Sequence, residues 1–208
     1  MIRNTASALA FVSCLVGCSR GEQTLYLVTD RPEDLTVSID GKVRDQPLHG
    51  FQAYGSVNLT KGAEVVVESA GTTVERVTLP AVAKEEHALF VVGSPGAFAV
   101  ADYRKLAVVT DGKGRGGSNG TLGIGPVTAA ELDVVPVDPG TKTLTFDRRA
   151  IVAGPDAPLP SGGAVNPVTL EKLPIYRVEH VLPGTSAFDS IAPKVTRELG
   201  RDRLPGQR

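Results

Sequence analysis

The sequence predicts an all-β protein folded as an antiparallel β-sandwich. Runs of apolar and β-branched residues recur at intervals of roughly 8–12 residues, which is the spacing of strands in sandwiches and barrels. The chain of 208 residues contains 23 glycines and 15 prolines, which supply frequent turns between these runs. From residue 24 to residue 110 the apolar residues show no sustained helical period, so strands are expected throughout this part.

Turn signals divide residues 24–110 into the strands of one sandwich domain. Asp40-Gly41 predicts a two-residue hairpin turn, because both positions of such a turn favour positive φ. Lys61-Gly62 and Ala70-Gly71 indicate two further turns. The predicted strands cover residues 24–29, 35–39, 51–59, 63–68, 72–79, 87–92, 97–100 and 105–110.

The rest of the chain has a weaker β pattern. A Gly-rich loop is predicted for residues 111–130, and a second β region for residues 131–182. Its predicted strands lie at residues 132–137, 143–147 and 175–182. This region is a smaller or incomplete β unit, and the sequence leaves open whether it forms a separate domain. Residues 183–208 are predicted to form a flexible tail, in which residues 193–199 have the composition of a short helix.

The N-terminal segment, residues 1–17, has the pattern of a secretory signal peptide. One charged residue, Arg3, precedes an apolar stretch that ends at Gly17. This stretch is too short to span the hydrocarbon core of a bilayer, which needs about 20 apolar residues. The segment is therefore interpreted as a targeting peptide and not as a transmembrane helix.

The last residues of this segment, Leu15, Val16 and Gly17, are followed by Cys18. This sequence resembles the lipobox of bacterial lipoproteins, in which an aliphatic residue, a small or aliphatic residue and a Gly or Ala precede the cysteine. The resemblance implies that the Cys18 thiol receives a diacylglycerol and that the signal peptide is cut just before it. Two or three acyl chains, such as palmitate, would then anchor the protein stably, whereas one chain binds a membrane only marginally.

A chain cut in this way would begin with a short lipidated tether, residues 18–23. Ser19, and not Asp, follows the cysteine. In enteric lipoproteins Asp at this position favours the inner membrane, so the resemblance favours the outer membrane over the inner membrane of the cell envelope. The short tether predicts a folded domain that lies close to the membrane surface.

Charge restricts the class of partner, and cysteine content restricts the source of stability. The sequence has 22 Lys and Arg against 23 Asp and Glu, and this lack of a basic excess argues against nucleic acid as a partner. Of the two cysteines, Cys14 would leave with the signal peptide and Cys18 would carry lipid. No disulfide is therefore expected, and the stability of the fold must come from its apolar core.

The order of strands and turns over residues 35–42, 51–67 and 70–73 resembles the bacterial domain of unknown function 4397 family. Members have a strand that ends in an Asp-Gly turn, a Tyr-Gly or Ser-Val strand, a Gly turn and a β-branched strand. The resemblance implies a β-sandwich module of envelope lipoproteins with no assigned chemistry. Residues 28–34 differ from the usual opening of that family, so a PEGA-like or immunoglobulin-like sandwich is the alternative.

Sequence motifs for chemistry are weak. The loop from Gly112 to Gly117 fits the G-x-G-x-x-G pattern of dinucleotide sites, but the glycines and proline that follow do not allow the helix that such a site requires. The three histidines, His49, His87 and His180, lack the spacing of metal ligands. We therefore expect no cofactor, no metal and no catalytic centre.

Two functions remain open at this point. The first is a non-catalytic envelope lipoprotein that acts as a structural or interaction module, contacting the membrane through Cys18 and other envelope proteins or glycans through its fold. The second is a lipoprotein that binds a small molecule or a glycan at the sandwich loops. Phe51 and Tyr54 could line a sugar groove, although alternating strand positions favour a place in the core. A concave pocket with convergent polar groups would favour the second function.

Overall fold

The computed structural model describes residues 22–106, 126–155, 157 and 174–199. These residues form twelve strands, a short 3-10 turn at Pro95–Ala97 and one long helix, α1 (Ala187–Glu198). The strands are β1 (Gln23–Thr29), β2 (Thr36–Ile39), β3 (Lys42–Val43), β4 (Phe51–Val57), β5 (Ala63–Ser69), β6 (Thr72–Leu79), β7 (Glu86–Val92), β8 (Phe98–Asp102), β9 (Asp133–Pro136), β10 (Thr143–Asp147), β11 (Ile151–Ala153) and β12 (Ile175–His180). The predicted all-β sandwich is confirmed.

The strands form three sheets of four strands each. Sheet I has the order β10-β7-β1-β4, sheet II has the order β11-β12-β8-β9, and sheet III has the order β3-β2-β5-β6. Most neighbouring strands are antiparallel, but β1 runs parallel to β7 and β11 runs parallel to β12. The β1–β7 pair lies at the centre of sheet I, which agrees with the preference of parallel strands for positions buried on both faces.

Side-chain alternation along β1 places sheet I in the middle of the molecule. Leu25 and Leu27 belong to the apolar cluster between sheets I and III. Tyr26 and Val28, which point the other way, belong to the cluster between sheets I and II. The outer face of sheet II packs against α1, so the layers run sheet III, sheet I, sheet II and helix.

The hairpin turns follow the sequence prediction. Asp40 and Gly41 have φ values of 51° and 74°, and Ala70 and Gly71 have values of 48° and 79°. Positive φ at both central positions gives a turn whose twist matches that of the flanking strands. These two turns join β2 to β3 and β5 to β6, so two of the three strand pairs of sheet III are local hairpins, and the third pairs β2 with β5.

The strands of the second β region, residues 131–182, pair with strands of residues 24–110. β10 is the edge strand of sheet I next to β7, and β9 and β12 flank β8 in sheet II. Sheets I and II therefore each combine strands from both parts of the sequence.

The predicted flexible tail is corrected for residues 187–198, which form α1. The Ser186 side chain caps this helix by accepting a hydrogen bond of 3.0 Å from the Asp189 backbone N–H. Ile191, Ala192 and Val195 are buried against sheet II, so the helix is held by packing. No helix among the described residues has the length and apolar character needed to cross a bilayer.

Two further sequence predictions differ from the structure. Residues 104–106 are helical where a strand was predicted from residue 105, and residues 107–110 lie outside the described residues. β11 was not predicted at all, because a strand of three residues offers too few positions for an alternating pattern to be recognised.

Candidate functional site: a cleft between sheets I and II

A cleft of about 330 Å³ opens where the edge strand of sheet I meets sheet II. Its walls come from β10 on one side and from β8, β9 and β12 on the other. Nine residues line it: Val100, Asp102, Arg104, Asp133, Val135, Leu144, Thr145, Phe146 and Tyr176. The volume lies at the lower end of the range for small-molecule sites, which is about 300–1,000 Å³.

The floor of the cleft is apolar. Val100 and Phe146 belong to the buried cluster between sheets I and II, and Leu144 packs against its edge. Val135 on β9 keeps 51% of its side chain exposed, although its neighbour Val134 packs on the opposite, helix-facing side of sheet II. Strand alternation therefore directs Val135 into the cleft and leaves it without a complete apolar environment.

One ion pair stands at the rim. The Arg104 Nε donates to both carboxylate oxygens of Asp102, at 3.0 and 2.8 Å, and its Nη2 also donates to Asp102. These hydrogen bonds raise the pKa of Arg104, so the guanidinium stays charged. Its Cζ lies 5.8 Å from the centre of the Tyr176 ring, which places the cation over the aromatic face.

A second ion pair completes the rim. Lys105 Nζ donates to Asp133 Oδ2 at 2.9 Å. The Tyr176 ring lies 5.1 Å from the Phe146 ring, and burial raises the pKa of the Tyr176 hydroxyl. With two carboxylates facing two cations, the rim carries opposite charges in equal number.

Behind the cleft, on the helix side of sheet II, lies a buried charged network. Arg177 and Glu179 on β12 are 2% and 1% exposed and are hydrogen bonded to each other. The Tyr103 hydroxyl donates to Glu179 Oε1 at 2.9 Å, and the Arg177 Cζ lies 5.1 Å from the centre of the Tyr103 ring. Burial raises the pKa of Tyr103, and the Glu179 charge raises it further.

The same network reaches the helix. Arg177 donates to both carboxylate oxygens of Glu198 at 2.9 and 3.3 Å, and Lys194 donates to Glu179 Oε2 at 3.1 Å. Arg177 and Lys194 also donate to the backbone carbonyls of Ala157 and Pro155. Two cations thus face two carboxylates, and the arrangement ties α1 to β12 without an unpaired charge among these four groups.

The residues of the predicted lipid anchor lie outside the described residues. This applies to Cys18 and to Leu15, Val16 and Gly17. Residues 111–125 of the predicted Gly-rich loop, residues 111–130, also lie outside the described residues. Their roles therefore stay predictions from the sequence.

The three histidines lie apart in the fold. His49 Nδ1 lies 2.9 Å from Asp34 Oδ1 in an exposed loop, and the His180 ring lies 4.8 Å from the Phe98 ring at the end of β12. His87 is 8% exposed, and its Nδ1 accepts a 3.0 Å hydrogen bond from the Thr24 N–H. That hydrogen bond requires an unprotonated Nδ1, which agrees with the lowering of the His87 pKa by burial.

The aromatic residues considered for a sugar groove belong to packed surfaces. Tyr54 is 4% exposed, and burial raises the pKa of its hydroxyl to about 12. Phe51 stacks on Tyr26 with 5.9 Å between ring centres. A Cβ at Gly154 would lie 2.9 Å from Phe51, so the segment after β11 packs tightly against this ring.

Sequence reasoning did not find the cleft. Its ionisable residues have no common motif: Asp102, Asp133 and Tyr176 come from three different strands, and Arg104 lies just after the first of them. The one available signal was the unusual Asp102-Tyr103-Arg104-Lys105 run, where charged residues directly follow a buried strand.

The described residues contain no group of three or more His, Cys, Asp or Glu side chains that could hold a metal ion. Comparisons with protein-family models, with curated proteins and with solved structures found nothing that matches this chain.

Proposed function

We propose that this protein is a lipid-anchored, non-catalytic binding module of the bacterial cell envelope, and that it holds its partner at the cleft between sheets I and II. The observation that carries the proposal is the cleft itself. It combines an exposed apolar residue, Val135, with an apolar floor and a rim of polar groups. A concave pocket with an apolar floor and a few polar groups at its rim is the usual form of a binding site.

The lipobox-like sequence at Cys18 supports the anchor. β1 begins at Gln23, five residues after Cys18. A chain of that length spans at most about 17 Å. The folded domain would therefore stay next to the bilayer, and its cleft would meet partners that also lie close to the membrane. Ser19 favours the outer membrane as the site of attachment.

The state of the polar groups supports a non-catalytic role. Catalysis needs an acid, base or nucleophile that lies within reach of the substrate and has a pKa suited to proton transfer. In the cleft, Arg104 is paired with Asp102, and Lys105 with Asp133. Fixed pairs of this kind shape a rim and orient a partner more readily than they transfer protons.

The anchor is tested by metabolic labelling with a clickable palmitate analogue. We expect the wild-type protein to be labelled and to fractionate with the membranes, and the Cys18→Ala variant to lose both properties. Equal labelling of the two proteins would overturn the anchor and leave the cleft to be judged separately.

The cleft is tested by photo-crosslinking in intact cells that carry a benzophenone amino acid at Val135. The matched control is Val43 on sheet III, which is 65% exposed but lies on β3, away from the cleft. We expect a defined crosslinked product from position 135 and none from position 43. Equal products at both positions, or none at either, would contradict a binding role for the cleft.

A small molecule or a glycan is the second candidate for the occupant. It is favoured by the cleft volume and by the position of Asp102, Arg104 and Tyr176 at the rim, where they could donate to or accept from hydroxyl groups. The crosslinked product distinguishes the two cases, since a protein partner adds a protease-sensitive mass and a glycan adds a mass that proteases do not remove.

A further inference from the structure

We propose that the occupant of the cleft is an extended, uncharged segment of another envelope polypeptide, which adds as a further strand to the edge of β10 that faces away from β7, where the described residues place no other strand. The inference rests on the proposed binding role of the cleft and specifies the class of partner. Binding of this type uses main-chain hydrogen bonds for affinity and pockets for alternate side chains for specificity.

The hydrogen bonds next to the β10–β7 pair show which backbone groups of β10 point toward β7 and which point away from it. Val91 N–H donates to Lys142 O at 2.9 Å, and Arg148 N–H donates to Glu85 O at 2.8 Å. In an antiparallel pair, hydrogen-bonded positions alternate with non-hydrogen-bonded ones. Leu144 and Phe146 therefore direct their backbone groups toward β7, and the backbone groups of the residues between and beside them point to the opposite edge.

Those outward positions are Thr143, Thr145 and Asp147. In the part of the chain that the structure describes, β10 has β7 as its only neighbouring strand. The edge thus offers backbone donors and acceptors at alternate residues over five residues, which is what an added strand requires.

The other described edge strands are less suited to accept a strand. On β9, Val137 N–H donates to Phe98 O at 3.3 Å, so the same alternation turns Pro136 to the outer edge, where it has no N–H to offer. β3 has two residues and β11 has three. β6 carries two charges in its middle, Glu75 and Arg76, whereas the one charged residue of β10, Asp147, is the last of its strand. β4 is irregular at Ser56, whose φ is 57°. Proline, short length, charge and irregularity are the usual means by which proteins protect sheet edges.

An added strand would also fill the cleft. Directly opposed residues on adjacent strands place their side chains on the same face, and neighbouring strands lie roughly 4.8 Å apart. A residue opposite Leu144 or Phe146 would therefore project beside them, between β10 and Val135. The floor there is apolar, which selects an apolar side chain at that position.

The rim argues for an uncharged segment. Its cations and carboxylates are already paired as Asp102 with Arg104 and Asp133 with Lys105, so neither an acidic nor a basic segment gains an unpaired partner. A sugar ring is less favoured, because stacking needs an accessible aromatic face. Phe146 is 7% exposed, and Arg104 covers the Tyr176 ring.

The test is a selection of random peptides displayed on phage against the full acylated protein in detergent micelles, followed by affinity measurements with the selected peptides. Thr145→Pro removes the outward N–H and does not touch the ladder to β7, so it should fold. Thr145→Val is the matched control, because it keeps the backbone N–H and the branched shape. Urea unfolding checks that both variants retain the wild-type fold.

We expect the selected peptides to have apolar residues at alternate positions, to bind wild type and Thr145→Val alike, and to lose at least about tenfold in affinity with Thr145→Pro. Equal enrichment on wild type and Thr145→Pro, including none on either, would overturn strand addition. A dimer of the wild-type protein that Thr145→Pro dissociates would also overturn it, since the occupant would then be a second copy of the chain. If photo-crosslinking at Val135 persists in the Thr145→Pro protein, the cleft is still a binding site, but its partner does not dock on the edge of β10.

Discussion

The interior between sheets I and III differs in chemical character from the interior around sheet II. The first is formed by apolar side chains from both sheets, among them Leu27 and Phe90, which are fully buried. Among the described residues, those that are buried and carry a formal charge, Asp102, Arg177 and Glu179, all lie on strands of sheet II. Apolar burial alone is enough to hold two sheets together. Buried ion pairs are costly to desolvate. Those on β12 also reach Glu198 and Lys194 of α1, so they connect the helix to sheet II.

Breaking the charged network should have the largest effect on stability. Arg177→Met removes the cation from a buried site and leaves the Glu179 carboxylate with fewer partners. We expect the free energy of unfolding to fall by about 3–5 kcal/mol, the usual cost of breaking a buried pair. Urea unfolding monitored by circular dichroism measures this change.

A second substitution tests whether the buried carboxylate causes this loss of stability. In Arg177→Met combined with Glu179→Gln, the buried carboxylate is neutral, and part of the lost stability should return. If the free energy of unfolding of Arg177→Met alone lies within about 1 kcal/mol of the wild-type value, the charged network does not hold the helix. The buried charges would then give sheet II no role that the apolar interior lacks.

Truncation of the apolar interior should have the next largest effect. Leu27→Ala leaves a cavity between sheets I and III and should lower the free energy of unfolding by about 2–4 kcal/mol. Val135→Ala is the control on the cleft side and should change stability by less than about 0.5 kcal/mol, because the side chain is half exposed. Equal losses in the two variants would mean that the cleft is part of the core and not a binding surface.

The sheets themselves were largely predictable because their signals are local. Asp40-Gly41 and Ala70-Gly71 define hairpins within a few residues, and the predicted strand at residues 143–147 coincides with β10. The parallel pairing of β1 with β7 was not predictable in this way. It joins residues more than sixty positions apart and depends on burial of both faces of sheet I.

The helix and the cleft show where sequence reasoning failed. The start of α1 was signalled by Ser186 followed by Asp189, the spacing of a helix cap, but Pro193 suggested a later beginning. The residues of the cleft share no sequence motif because its walls come from four strands. Only the assembled sheets bring Asp102 and Tyr176 together as register partners.

A smaller effect is expected from the titration of His87. Burial lowers its pKa and the Arg148 charge lowers it further, against an opposing effect of Asp147. The unfolded chain therefore binds a proton more readily than the folded protein, and the stability due to neutral His87 is lost as the pH falls below the ordinary value of 6.5.

We expect the melting temperature of the wild-type protein to fall more between about pH 7.5 and about pH 5.5 than that of His87→Gln, which does not titrate but can still accept the Thr24 hydrogen bond. His49 and His180 are common to both proteins, so the difference between the two pH profiles isolates His87. Parallel profiles would mean that His87 is protonated equally in the folded and unfolded states.

Docking of a partner at the outer edge of β10, beside the cleft, is the central proposal, and hydrogen exchange tests it directly. The full-length protein is compared in membranes of the cells that express it and after purification in detergent. We predict that the peptide covering Thr143–Asp147 exchanges more slowly in the membranes, whereas the peptide covering Thr72–Leu79, at the edge of sheet III, exchanges equally in both. Equal exchange of the β10 peptide in the two preparations would contradict the assignment of this edge as the docking site.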